Sequence, residues 1–156
     1  MRDQAWLDIF LDQTWCKYFA EVERSNTIVI RFGRKARTRL GSITSRPGQE
    51  HESIITLNGL FRDPAIPEFV LEATLVHELC HYAHGFNSPL PQKFQHPHRG
   101  GVMRREFAER GAEPLYHQQK SWLKQHWAKV VEDNFKPIRR RDRGAKAVPT
   151  PFWFLR

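Results

Sequence analysis

Hydrophobic positions along the 156-residue chain change period several times, and each change marks an element. From Asp3 to Arg24, Leu7, Phe10, Leu11, Tyr18, Phe19 and Val22 recur at intervals close to three and four, the pattern of an amphipathic helix with one buried stripe. Three short β-type runs follow: Thr27 to Phe32, closed by Gly33; Arg39 to Thr44; and Ser53 to Asn58, after a turn at Pro47-Gly48. They predict a small, mostly antiparallel sheet. Pro67 suits the first position of a helix and Glu68 the positive end of its dipole. A long helix is therefore expected up to His84, burying Phe69, Val70, Leu71, Leu75, Val76, Leu79 and Cys80, with Gly85 to end it. Gly85 to Gly101 has three prolines and no period, so it reads as a long loop of the kind that often carries function. A helix from Val102 to Arg110 and another carrying Leu115, Trp122, Leu123, Trp127, Val130 and Val131 complete the pattern. The fold class expected is α+β: about three strands packed on one long helix, with further helices at both ends.

Composition and charge adjust this picture at its edges. The length fits one domain, taken as residues 1–135, and 40% hydrophobic residues with 11 Phe and 5 Trp suffice for a core. From Lys136 the character changes to a basic tail, 136–156, with Arg139, Arg140, Arg141 and Arg143 followed by the apolar Phe152-Trp153-Phe154-Leu155. No run approaches the roughly 18 apolar residues that cross a bilayer, and Met1-Arg2-Asp3-Gln4 does not lead into an apolar signal core, so a cytoplasmic protein without membrane contact is expected. Two cysteines, Cys16 and Cys80, are too few for a disulfide framework or a four-thiolate zinc site, and both are expected reduced and buried. The net charge of +8 favours polyanionic partners, DNA among them, through the basic surface and the tail.

The chemistry concentrates on the long helix. His77-Glu78-Leu79-Cys80-His81 is an HExxH sequence, and residues four apart on a helix lie one turn up the same face, so two imidazoles can share one cation. Zinc suits nitrogen ligands, and its catalytic sites take three protein ligands while keeping one position for water. Glu78, beside the pair, is placed to act as general base toward that water. For the third ligand His98 leads, just before Arg99-Gly100-Gly101, with His96, Glu106 and Glu109 as alternatives. A metzincin is excluded, because His84 stands where that pattern needs Gly and Asn87 where it needs His. His84 shares the stripe of the ligands and reads either as a cleft residue or as a half-exposed histidine at a helix end. Cys80 reads as a small buried residue. Tyr82, His84, His96 and Tyr116 are candidates to stabilise an oxyanion.

The stretch from Arg39-Leu40-Gly41-Ser42 through Ile55-Thr56-Leu57-Asn58 and Ile66-Pro67-Glu68-Phe69-Val70-Leu71-Glu72 to His77-Glu78-Leu79-Cys80-His81 resembles the SprT-like and YgjP-like metallopeptidases over about half of the chain. The resemblance implies a compact zincin-like domain, with a histidine at the start of the following helix, here His98, as third ligand. It also implies an extended peptide or unfolded protein added to a strand rim, for which Ser53 to Asn58 is the candidate. Some members act on proteins attached to DNA. The function expected is therefore peptide-bond hydrolysis by a zinc-activated water with Glu78 as general base. Two other readings compete: a basic, nucleic-acid-associated module with a structural or non-catalytic zinc, and a closed site in which His77, His81, His96 and His98 fill every position.

Overall fold

The most apolar stretch of the chain becomes its central helix. The computed structural model describes residues 1–46 and 49–135, so the Pro47-Gly48 turn and the tail 136–156, with its basic and aromatic groups, lie outside the described residues. Helix α1 spans Gln4–Tyr18, strands β1, β2 and β3 span Thr27–Phe32, Gly41–Arg46 and Gln49–Leu57, and helices α2, α3 and α4 span Glu68–Ala83, Val102–Glu109 and Glu113–Asn134. Every residue of α2 from Ala73 to Ala83 is buried, as are Val70 and Leu71. Burial round the whole circumference means that other elements enclose this helix on all sides. Accordingly α2 packs against α1, α3, α4, β2 and β3. Leu71, Leu75 and Leu79 are fully buried there, each contributing about 1.5–3 kcal/mol of transfer free energy.

The sheet has the order β1-β3-β2, with β1 parallel and β2 antiparallel to β3. It is thus mixed rather than mostly antiparallel. β3 takes the centre because Ile54, Ile55 and Leu57 bury side chains on both of its faces, whereas β2, rich in Ser and Thr, tolerates an edge. This overturns the expectation that Ser53 to Asn58 forms a substrate rim: both backbone edges of that strand are already paired. Among the described residues, the strand edge near α2 that pairs with no further strand belongs to β2.

Two further corrections are local. The first helix stops at Tyr18 instead of continuing to Arg24, because the chain turns at Phe19, whose N–H bonds Trp15 O and whose carbonyl accepts from Val22 N–H. Phe19 is still buried, beneath the Arg110 guanidinium at 4.1 Å. Cys16 is exposed, on the outer face of α1, whereas Cys80 is buried and burial pushes its thiol pKa up.

Side-chain hydrogen bonds set how the β1–β2 connection runs. Asn58, buried at the end of β3, donates to Ala36 O and Arg39 O at 2.7 Å each and accepts from Ala36 N–H and Leu60 N–H. Its amide thereby saturates the turn that delivers Arg39 and Gly41 to α2. Among the described residues no helix is long and apolar enough to cross a membrane.

Candidate metal centre

His77 and His81 stand one turn apart on α2, and their Nε2 atoms are 3.1 Å from each other. His98 arrives from the other side, as the residue before a short 3-10 turn, Arg99–Gly101, that leads into α3. Its ring lies 5.3 Å from that of His77 and 4.8 Å from that of His81, centroid to centroid. Ligand nitrogens of the three residues fall within 4.8 Å of one another, close enough to bind one metal ion. Tetrahedral ligands at zinc–nitrogen distances near 2.0–2.1 Å stand about 3.3 Å apart, so the 3.1 Å separation matches two corners of such a site.

Electrostatics favour the ligand form. Burial holds the His77 pKa well below the ordinary histidine value, with the neighbouring His81 and His98 adding to the effect. Burial also brings His81 down to about 3, again helped by His98 and then His84. Both rings are therefore neutral at pH 7 and need lose no proton to bind a cation.

Glu78 is buried and faces the same cavity, of about 510 Å³, as the three histidines. Burial pushes its carboxyl up to about 8, against the pull of the Arg39 charge and of a hydrogen bond from the Ile43 backbone. A carboxyl held near neutrality by its surroundings suits proton transfer at physiological pH. β2 reaches Glu78 only because residue 41 is glycine: a Cβ there would lie 2.9 Å from Glu78 Oε1 and 2.8 Å from Thr74 Cγ2.

The loop after α2 closes the other wall. Gly85, at φ 78°, turns the chain away from the helix, and a Cβ on it would meet Leu90 O and Pro91 O at 2.5 Å. Phe86, Asn87 and Pro97 from this loop line the cavity opposite Arg39, Ser42 and Ile43.

Of the residues singled out in the sequence, the fold brings His77, Glu78, His81 and His98 together. The alternative third ligands lie elsewhere: His96 and Glu109 are exposed, and Glu106 is engaged with His84 and Arg110. Among the described residues the cluster has three histidines, so His96 does not make a fourth. His84 is neither half-exposed nor a cavity residue. It is fully buried, with Nε2 2.9 Å from Glu106 Oε1 but off the line of a hydrogen bond, while its Nδ1 has no partner among the described residues. Nor do the other proposed oxyanion donors line the cavity. Tyr82 hydroxyl bonds Asn26 and Ser25 near α1, and Tyr116 packs on Phe107. Besides the histidines and Glu78, the polar residues that line it are Thr38, Arg39, Ser42 and Asn87. Arg39 and Ser42 stand in the stretch that carries the resemblance, yet spacing alone assigns none of these residues to the site, because each reaches the cavity through the sheet or a loop rather than through α2.

No family model matches this chain, no curated protein matches its sequence, and no solved structure matches its fold.

Proposed function

We propose that this chain is a zinc-dependent peptidase of the SprT-like kind, with His77, His81 and His98 as the ligands and Glu78 as general base. One observation carries the reading: three imidazoles, two of them held neutral by burial, converge on one point, and a buried carboxyl with a raised pKa opens onto the same cavity. A structural site has no need of that carboxyl or of an open side. Zinc, when bound, supplies a Lewis acid that polarises a carbonyl and acidifies a water. Glu78 then receives the proton of the attacking water and returns it to the departing amine, and Arg39, at the cavity wall, faces the charge that develops on the carbonyl oxygen. The free edge of β2 beside the cavity offers backbone groups to an extended peptide or unfolded protein, which gives affinity with little sequence preference.

Glu78→Gln tests the assignment, because it keeps the shape and removes the base. Zinc content is expected to stay at one per chain, while cleavage of unfolded casein falls by a factor of at least about 100. Zinc retained with undiminished cleavage rejects Glu78 as the base.

A second reading, association with nucleic acid, has its own support. From Arg31 to Gln49 the sequence has six basic residues and no acid. Arg31, Arg34 and Lys35 are exposed there and form no ion pair with another described residue. Duplex DNA affinity that falls with salt, and that drops further in Arg34→Glu/Lys35→Glu, is the expected result. An unchanged salt slope in that variant removes this stretch from consideration.

A further inference from the structure

Among the described residues the outer edge of β2 pairs with no further strand, yet one of its positions is already occupied. In an antiparallel pair, residues turn both backbone groups alternately toward the partner strand and away from it. Ile43, opposite Ile55, turns its groups away: its N–H is taken by Glu78 and its carbonyl accepts from Asn87 Nδ2 at 3.1 Å. The same carboxamide accepts from Ser45 Oγ at 3.3 Å through Oδ1. Asn87 belongs to the loop that leads to His98, and its own carbonyl is held by Ser53 Oγ at 2.6 Å. Among the described residues it is the one non-glycine with positive φ, 55°, a conformation that asparagine accepts more readily than most residues.

A primary amide presents the same donor and acceptor as a peptide bond. Where Asn87 Nδ2 sits, beside the cavity and against an outward carbonyl of the edge strand, an incoming extended chain would place its backbone N–H. We propose that the Asn87 carboxamide is a placeholder for substrate backbone, and that a peptide joins β2 by taking the Ile43 carbonyl from it. The inference rests on the peptidase reading and adds a determinant of substrate affinity to it. Displacing Asn87 also frees one clasp on the loop before His98, so occupancy of the edge and the setting of that loop are linked.

The test compares wild type, Asn87→Ala and Ser45→Ala. Each is measured for zinc content and for KM and kcat on a fluorescein-labelled casein peptide, and, in a Glu78→Gln background, for binding of that peptide by anisotropy. Removing the internal competitor should lower the peptide Kd and KM in Asn87→Ala by roughly three- to tenfold, the weight of one hydrogen bond exchanged against another, with kcat and zinc content kept. Ser45→Ala, which loosens the carboxamide without touching the loop, should shift Kd the same way by less. A Kd that is unchanged or raised in zinc-loaded Asn87→Ala overturns the placeholder. If Asn87→Ala loses zinc, Ser45→Ala decides, and an unchanged Kd there overturns it equally. Tighter peptide binding by the variants with no cleavage by any zinc-loaded form supports the placeholder and rejects the peptidase reading. Absence of peptide binding in all forms rejects both.

Discussion

A single hydrogen atom decides how closely the edge strand approaches Glu78. A methyl group at Gly41 would press on Thr74 Cγ2 at 2.8 Å and on Glu78 Oε1 at 2.9 Å. Thr74 cannot give way easily, since its hydroxyl donates to Val70 O and accepts from Gln119 Nε2. Gly41→Ala must therefore move either β2 or the carboxylate. Overpacking of this kind costs about 1–3 kcal/mol in stability. A displacement near 1 Å of a group that handles protons costs on the order of 100-fold in rate. The expected variant binds zinc, unfolds at lower urea and cleaves casein about a hundredfold more slowly. Wild-type kinetics from a folded Gly41→Ala protein would show that the close approach has no part in catalysis.

At the scale of elements, the third ligand depends on where α3 begins, and a charged cluster sets that place. His84 at the end of α2 faces Glu106 of α3, which also accepts from Arg110 Nε at 3.1 Å, and Arg110 in turn donates to Tyr18 O at the end of α1. Contact with His84 is the main cause that holds the Glu106 carboxyl below its ordinary 4.5, burial opposes it, and Arg110 assists. A depressed carboxyl contributes stability above its unfolded pKa and loses it as pH falls through the folded one. Wild type should therefore exceed Glu106→Gln by about 1–3 kcal/mol near pH 7, and the gap should close in acid well below pH 4.5, read by urea unfolding across that range. A gap that does not change with pH would assign the loss to packing alone. The same elements show what was legible in the sequence. His77, Glu78 and His81 could be read because a helix converts spacing into direction, and the apolar run around them announced that helix. Strand order could not be read in this way. Whether β3 lies at the centre depends on pairing between distant segments, and the alternation of Ser53 to Asn58 is the same at an edge as in the middle. His84 was misjudged for a similar reason: its partner, Glu106, lies 22 residues on and meets it only when α3 folds back. Asn58 and Gly41 were visible as residues of a resemblance, but their tasks, saturating a turn and clearing a path for β2, exist only in the packed structure.

For the molecule as a whole, burying ligands and base together makes stability depend on pH in two opposite senses when no metal is bound. His77 and His81 have folded pKa values below the ordinary 6.5, so in acid the unfolded chain takes up protons that the folded one refuses, and stability falls as pH drops beneath about 6.5. Glu78 works in the other direction. Its folded pKa of about 8 lies above the ordinary 4.5, so the folded protein holds a proton that the unfolded chain has released, and this contribution is lost as pH rises toward 8. Each group adds a slope of up to about 1.4 kcal/mol per pH unit, and two histidines outweigh one carboxyl on the acid side. The chelated protein should thus be most stable near pH 6.5, with limbs of similar slope on either side, the acid limb steepening below about pH 4.5, where Glu78 holds its proton in both states. A bound divalent cation changes both limbs by known chemistry: it requires the imidazoles neutral and favours the ionised carboxylate beside it. Zinc should therefore raise the unfolding midpoint most on the alkaline side, flatten the decline toward pH 8, and leave a sharper loss in acid as protons displace the metal. Urea unfolding at a series of pH values, with zinc and with chelator, reads all of this in one experiment. An alkaline decline that persists in zinc-loaded protein would place the metal away from Glu78, and with that the link between the three histidines and the carboxyl would be broken.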